Sequence, residues 1–209
     1  MPRDEPGNRH REPARKRRRF ALRPQRLLRG FDQGEDEENL QRVMSVNVSA
    51  TQFDRRRTFV ASYAWAVPTR EAVKSIDDFV GERTMLEICA GQGLWAGLIS
   101  FAGTAVVATD GQAAAGAHFP VKLGEAKAAV LSHPECRALL VSWPPFKEGC
   151  AFHALSTFTG DRVVYVGDVR FTAEARFHSL LDASWRLTEQ IALPSWPGTA
   201  DSAFFYERA

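Results

Sequence analysis

Glu87-Ile88-Cys89-Ala90-Gly91-Gln92-Gly93 sets a carboxylate, a thiol and two glycines in seven residues, where an apolar run gives way to a helical pattern. Two glycines two apart at a strand-to-helix turn permit φ > 0 and let the backbone approach a ligand closely. The helix that follows turns its first N–H groups into the same space. Such a turn cradles a nucleotide-like cofactor. Asp110, 23 residues beyond Glu87, ends a second apolar run, where an acid can accept both hydroxyls of a ribose. Glu125, in Gly124-Glu125-Ala126, offers a carboxylate to an adenine amino group, or is a plain first-turn acid beside a helix dipole. Ser142-Trp143-Pro144-Pro145-Phe146 stiffens the end of another apolar run, because neither proline can donate to a ladder. A rigid, aromatic-flanked turn makes a wall for a planar group; the simpler alternative is a proline-terminated strand. Asp168 is an acceptor-side acid or, more commonly at such a place, a surface charge at a strand edge.

These residues need a frame that gathers them. Strands are predicted at 84–89, 104–109, near 121–123, at 138–142 and at 162–167, alternating with helices at 93–102, 125–132, about 148–158 and 173–184. Thr172 caps the last of these, with Glu174 in its first turn. Short apolar strands alternating with helices predict an α/β, Rossmann-like doubly wound sheet, mostly parallel, with helices on both faces. The two runs that follow, 187–193 and 203–208, are joined by Pro194-Ser195-Trp196-Pro197-Gly198 with no room for a crossover helix. They are predicted to pair antiparallel, completing seven strands. Upstream, Thr69 is a predicted N-cap for a helix with apolar positions 72, 73 and 76. Tyr63 and Trp65, just before it, either close over a bound cofactor or serve as ordinary core.

Charge divides the chain. Residues 1–31 carry eleven Arg/Lys against three acids, a balance of +8, while the whole chain is +2, leaving −6 on the remainder. Almost without apolar side chains before Phe20, this arm cannot repay its ordering entropy alone. It is predicted either to make non-specific nucleic-acid or anionic-surface contacts through residues 9–29 or to be a solvated tail; stacking aromatics are absent from its basic run. An acidic segment, 32–38, leads into a short helix near 39–44. The predicted organisation is a basic arm over 1–31, an acidic and helical linker over 32–62, and one domain over 63–209. Three cysteines, Cys89, Cys136 and Cys150, read as reduced thiols. No run approaches 18 apolar residues and no apolar leader follows the first charges. The expectation is an intracellular protein off the membrane, cytoplasmic or, in a eukaryotic host, nuclear.

Taken together, Glu87 followed by Cys89-Ala90-Gly91-Gln92-Gly93, the acids at 110 and 125, and the Pro-Pro turn resemble class I S-adenosylmethionine-dependent methyltransferases. Asp110 matches the family's ribose acid, and Gly124-Glu125-Ala126 is similar to its Gly-Asp-Ala adenine motif. Trp143-Pro144-Pro145-Phe146 resembles the Asp/Asn-Pro-Pro-Tyr/Phe motif of the branch that methylates amino nitrogens. The resemblance covers about 63–209. It implies that S-adenosylmethionine is held by Glu87, Cys89, Ala90, Gly91, Gly93, Asp110, Gly111, Glu125, Ala126 and Ser142, with Tyr63 and Trp65 over it. Trp143, Pro144, Pro145 and Phe146 would then orient the methyl acceptor, a group the sequence does not name and whose methylated atom would be a nitrogen if the branch holds. Methyl transfer from a sulfonium is an in-line displacement in which positioning supplies much of the rate, and Trp143 favours the nearby cation. Two residues depart from the pattern. Cys89 stands where the first glycine is expected, and Trp143 replaces the Asp or Asn that accepts from the target amine.

Two other functions compete. A methyltransferase-like binding or scaffold module fits the departures at Cys89 and Trp143 and the basic arm. A nicotinamide oxidoreductase also uses a glycine turn, but here the glycines run G-x-G-x-x-x-G and no Tyr-x-x-x-Lys pair is present. His133-x2-Cys136 and Cys150-x2-His153 imitate a zinc spacing. The strand between them would hold the pairs about 16–20 Å apart, so no metal site is predicted.

Overall fold

The computed structural model of the protein describes residues 50–112 and 118–209. The predicted basic arm at 1–31, its contact segment at 9–29, the acidic run at 32–38 and the helix near 39–44 lie outside these. The described chain begins with helix α1 (Ala50–Ser62) and α2 (Arg70–Val80), then alternates through β1 (Met85–Ile88), α3 (Leu94–Ala102), β2 (Val106–Asp110), β3 (Val121–Leu123), α4 (Ala126–Ser132), β4 (Ala138–Ser142), α5 (Cys150–Thr157) and β5 (Arg162–Gly167). It ends with α6 (Ala175–Ser184), β6 (Trp185–Ala192) and β7 (Ser202–Arg208).

The seven strands form one sheet in the order β3-β2-β1-β4-β5-β7-β6. The first five are parallel, and β7 runs antiparallel to both β5 and β6. This is the Rossmann-like, mostly parallel sheet with an antiparallel pair that the sequence predicts. The central strands β1, β4 and β5 are buried and mainly apolar because both faces are covered, whereas the edge strands β3 and β6 are largely exposed. Alternate side chains of β4 and β5 divide between two cores. Leu140, Val164 and Val166 join Ile76, Trp95 and Leu98 of α2 and α3, while Leu139, Val141, Val163 and Tyr165 join Leu155, Phe177 and Leu181 of α5 and α6. Burial at about 25 cal/mol per Å² of apolar surface makes these two layers the main stabilising term.

Local signals explain most element ends. The Thr69 hydroxyl accepts from the Ala72 N–H at 3.1 Å, so the predicted cap forms. Gly81, at φ 59, ends α2 in a conformation that costs other residues more. The Thr172 cap is the exception. α6 starts at Ala175 rather than 173, Glu174 occupies the cap position, and Ala173 has left-handed φ 56. The Thr172 hydroxyl is drawn instead to the Tyr165 hydroxyl and the Asp168 carbonyl, both buried, so it is unavailable to the helix.

Far from the strand ends that carry the candidate residues, Arg83 grips Asp161 with two hydrogen bonds of 3.1 and 2.9 Å, joining the entries to β1 and β5. No helix among the described residues is long and apolar enough to cross a membrane.

Candidate functional site

The carboxyl ends of β1, β2 and β4 open into a cleft of about 940 Å³, roofed on one side by the end of α1 and the segment after it. Its floor is the glycine turn. Ala90 donates to the Thr109 carbonyl and Gly93 to the Ala90 carbonyl, closing the turn between β1 and α3. Gly91 and Gly93 both have positive φ, 53 and 76, but they do different work. A Cβ on Gly91 would meet nothing within 4 Å, so that position faces open space. On Gly93 it would come within 2.9 Å of Phe119 Cβ and 3.0 Å of the Phe119 carbonyl, so Gly93 serves packing. Cys89, which precedes the turn, takes φ 58 without being glycine. Left-handed backbone costs an L-residue roughly 1–2 kcal/mol, and such strain gathers at functional sites.

Glu87 lies beneath this turn, fully buried, with neither carboxyl oxygen in a hydrogen bond. Burial pushes its pKa up to about 8. The Ala96 backbone N–H and the Ser142 hydroxyl are near enough to offset part of that, and the negative charge of Asp110 adds to it. A buried carboxyl left without a partner costs stability unless something cationic or hydrogen-bonding completes it.

Asp110 is committed on both oxygens, accepting from Gly91 N–H at 2.9 Å and Gln112 N–H at 2.8 Å. It holds the glycine turn against the end of β2, and its remaining lone pairs face the cleft with Gly111. Glu125 is exposed at the start of α4, makes no capping bond, and lines the cleft beside Gly124 and Ala126. Ser142 lines it at the end of β4.

The opposite wall is aromatic. Trp65 and Trp143 stack at 5.0 Å between centroids and 15° between planes, and the Arg56 guanidinium stands 5.7 Å from each ring. Trp143 has φ 47, donates its backbone N–H to Val166 and its indole N–H to Asp201 Oδ1 at 2.9 Å. Asp201 is itself buried, and burial raises its pKa despite the indole donor. Tyr63 stacks on His118 at 5.6 Å. Pro145 lines the cleft, whereas Pro144 is buried with its carbonyl accepting from Ala173 N–H at 3.1 Å, and Phe146 is exposed outside the lining. The Pro144 carbonyl therefore already holds one donor.

Asp168 is no surface charge. Its side chain is 2% exposed and accepts from Arg170 Nε, Nη2 and backbone N–H and from Ala200 N–H. The paired guanidinium, then the backbone donors, pull its pKa down to about 2. A depressed carboxylate pKa stabilises above the ordinary Asp value, and that stabilisation disappears as pH falls through the folded value. Asp168→Asn should cost about 1.5–3 kcal/mol at neutral pH by loosening the turn after β5 from the β6–β7 connection, read by urea unfolding at pH 7.

Spacing alone hid several lining residues. Cys150 and His153, at the start of α5, face the cleft, and Cys150 Sγ lies 3.8 Å from Cys89 Sγ. Cys136 is instead buried before β4. Arg56 and Asp201 sit 87 and 58 positions from Trp143, separations at which no local pattern operates. The rule that a residue before proline is pushed to extended backbone gives no hint here, because Trp143 takes left-handed φ 47 instead.

No protein-family model and no curated protein matches the chain. Among solved structures it is similar to Streptococcus pneumoniae Sp1610, provisionally a tRNA (m1A22) methyltransferase, at 11% identity and TM-score 0.50 over 68% of this chain and 71% of that one. It is similar also to a TehB-like SAM-dependent methyltransferase from Corynebacterium glutamicum, at 16% identity and TM-score 0.50 over 76% and 97%. A third is the PH0226 protein from Pyrococcus horikoshii OT3, at 10% identity and TM-score 0.51 over 75% and 99%. At these identities the likeness establishes the fold alone: the chain is a Rossmann-like α/β protein of the class I architecture that the methyltransferases among these structures share.

Proposed function

We propose that the protein binds S-adenosylmethionine in this cleft and transfers its methyl group to an acceptor at the aromatic wall. The observation that carries the proposal is Glu87, a fully buried carboxyl without a partner under a glycine turn whose Gly91 faces open space. Glu87 lies behind the cleft lining rather than in it, and its charge favours a ligand that places an ammonium group in the cleft above it, because a nearby cation favours the ionised carboxylate and offsets its burial. Asp110 and Gly111 suit the ribose, and Glu125 with Ala126 suits the adenine. Cys89, Ala90 and Ser142 border the same space. The cofactor supplies an activated methyl on a cationic sulfur. The chain's own work is positional: Trp143 and Trp65 present π-faces near that charge, and Pro145 stiffens the acceptor edge. No general base is assigned.

One observation favours a second reading, a binding or scaffold module without turnover. Trp143 stands where the motif expects an acceptor side chain and is locked by Trp65 and Asp201, while the Pro144 carbonyl is already occupied. In either case residues 9–29 are proposed to touch nucleic acid non-specifically, with affinity that falls as salt rises.

Calorimetric titration with S-adenosylmethionine and with NADPH tests the cofactor. Micromolar binding of the first is expected, and tight NADPH binding without it would sink the proposal. A radiolabelled methyl-transfer assay on cell extract, separated into protein, RNA and small molecules, then distinguishes an enzyme from a scaffold.

A further inference from the structure

Cys89 and Cys150 meet across the cleft from elements 61 positions apart, one directly after β1 and the other as the first residue of α5. Their sulfurs are 3.8 Å apart, against about 2.05 Å in a disulfide. Cys89 sits in the turn after β1 and Cys150 at the first position of a helix, so closing that gap calls for movement of the 89–91 turn and the α5 start, not of a strand. Both thiols also line the cleft, which gives a small oxidant access to them. We propose that this pair is a hydroperoxide-oxidised modification site, whose disulfide tightens the glycine turn against α5 and lowers cofactor affinity. The second half of the proposal rests on the S-adenosylmethionine reading; the first half does not.

The two thiols are not equivalent. The two sulfurs share a hydrogen bond, and that bond, with the Ala151 backbone N–H, holds the Cys150 thiol below the usual range despite its burial and nearby acids. Cys89 is pushed well above it, by that same hydrogen bond, by burial and by the charges of Cys150, Asp110 and Glu87. The thiolate is the nucleophile, so Cys150 is the attacking residue and Cys89 the resolving one. The Cys150 sulfur takes the terminal oxygen of hydrogen peroxide, breaking its O–O bond to give Cys150 sulfenic acid and, after proton uptake, one water. Cys89 sulfur then displaces hydroxide from that sulfenic acid, forming the S–S bond and releasing a second water. Two thiols lose two electrons and two hydrogens, and one peroxide becomes two waters. A dithiol reductant reverses the bond by exchange through a mixed disulfide. In a reducing compartment such a bond is transient and serves sensing rather than stapling.

Cys136 supplies an internal control. It is packed in the core, and burial pushes its thiol up to about 11. It should stay reduced.

The test uses the full chain. Reduced protein is treated with a small molar excess of hydrogen peroxide, digested without reductant and examined by mass spectrometry. The expected product is a linked pair of peptides carrying Cys89 and Cys150, two hydrogens lighter than the free pair, formed equally in Cys136→Ala and absent in Cys150→Ser. Both cysteines remaining free, each oxidised separately, or linked through Cys136 or between molecules would overturn the site. Titration of S-adenosylmethionine before and after oxidation should show at least a ~10-fold loss of affinity, restored by dithiothreitol. An unchanged affinity in linked protein would overturn the regulatory half. Reduced protein that never binds S-adenosylmethionine would refute the cofactor reading alone, and the linkage would stand or fall on its own peptides.

Discussion

Gly91→Val is expected to reduce S-adenosylmethionine affinity by more than ~100-fold, about 2.7 kcal/mol, while leaving a folded sheet. The backbone at Gly91 is left-handed, and the direction of its missing Cβ is empty for 4 Å. Two γ-methyls built there would occupy the floor of the cleft and add left-handed strain, hardest on a β-branched residue. Gly91→Ala separates the two effects, since it carries similar strain with far less bulk and should lose less affinity. Gly93→Ala makes the contrast sharper. Its Cβ would press on Phe119 and Val121 inside the protein, so its cost should appear first as a lower melting temperature. Calorimetric titration with parallel thermal melts reads all three variants. Unchanged affinity in Gly91→Val would refute the cradle.

Glu87→Gln should move stability and binding in opposite directions. With its folded pKa pushed up to about 8, Glu87 binds its proton more tightly folded than unfolded. Its contribution to stability is therefore complete below the ordinary Glu value near 4.5 and is lost as pH rises through about 8. Above that window the folded protein carries a buried, unpaired charge. The neutral amide removes it, at the cost of a buried NH₂ group with few partners. We expect Glu87→Gln to stabilise the ligand-free protein at pH 8.5 by roughly 1–2 kcal/mol, with little change at pH 5. The same substitution should weaken S-adenosylmethionine binding by at least ~10-fold, because a neutral amide cannot complement an ammonium. Wild-type affinity should rise between pH 6 and 8, as binding costs the release of the Glu87 proton until that proton has already left. Flat pH dependence, or equal destabilisation of Glu87→Gln at both pH values, would show that the carboxyl has a partner the geometry does not reveal.

The parts of this molecule legible in its sequence are those written in short-range pattern. Apolar runs at Met85–Ile88, Ala138–Ser142 and Arg162–Gly167 are strands of the central sheet, and the 187–208 stretch has no length for a crossover, so the antiparallel ending follows, though the strand order does not. The glycine turn and the cap at Thr69 are similarly local. Thr172 shows the limit. It has a capping residue's chemistry and an acid two positions on, but its hydroxyl is captured by Tyr165 and Asp168, buried partners from another element, and Ala173 turns left-handed. Asp168 hides its burial for a partly similar reason: beside the local Arg170, it is held by the Ala200 N–H, 32 positions away. The thiol pair and the Trp143–Asp201 bond join residues 61 and 58 apart, and no periodicity records such meetings.

Strand β7 follows β6 in the chain yet lies between β5 and β6 in the sheet. During synthesis, then, β6 emerges before it has a place to pair, and β5 keeps an open edge until residues 202–208 arrive. Asp201, which fixes the Trp143 indole, arrives with them. Everything proposed to grip the cofactor lies at or before Trp143 and precedes that moment. A nascent chain thus completes its cofactor floor first and its acceptor wall last, and stalling translation before residue 201 should leave a species that has the floor without the wall.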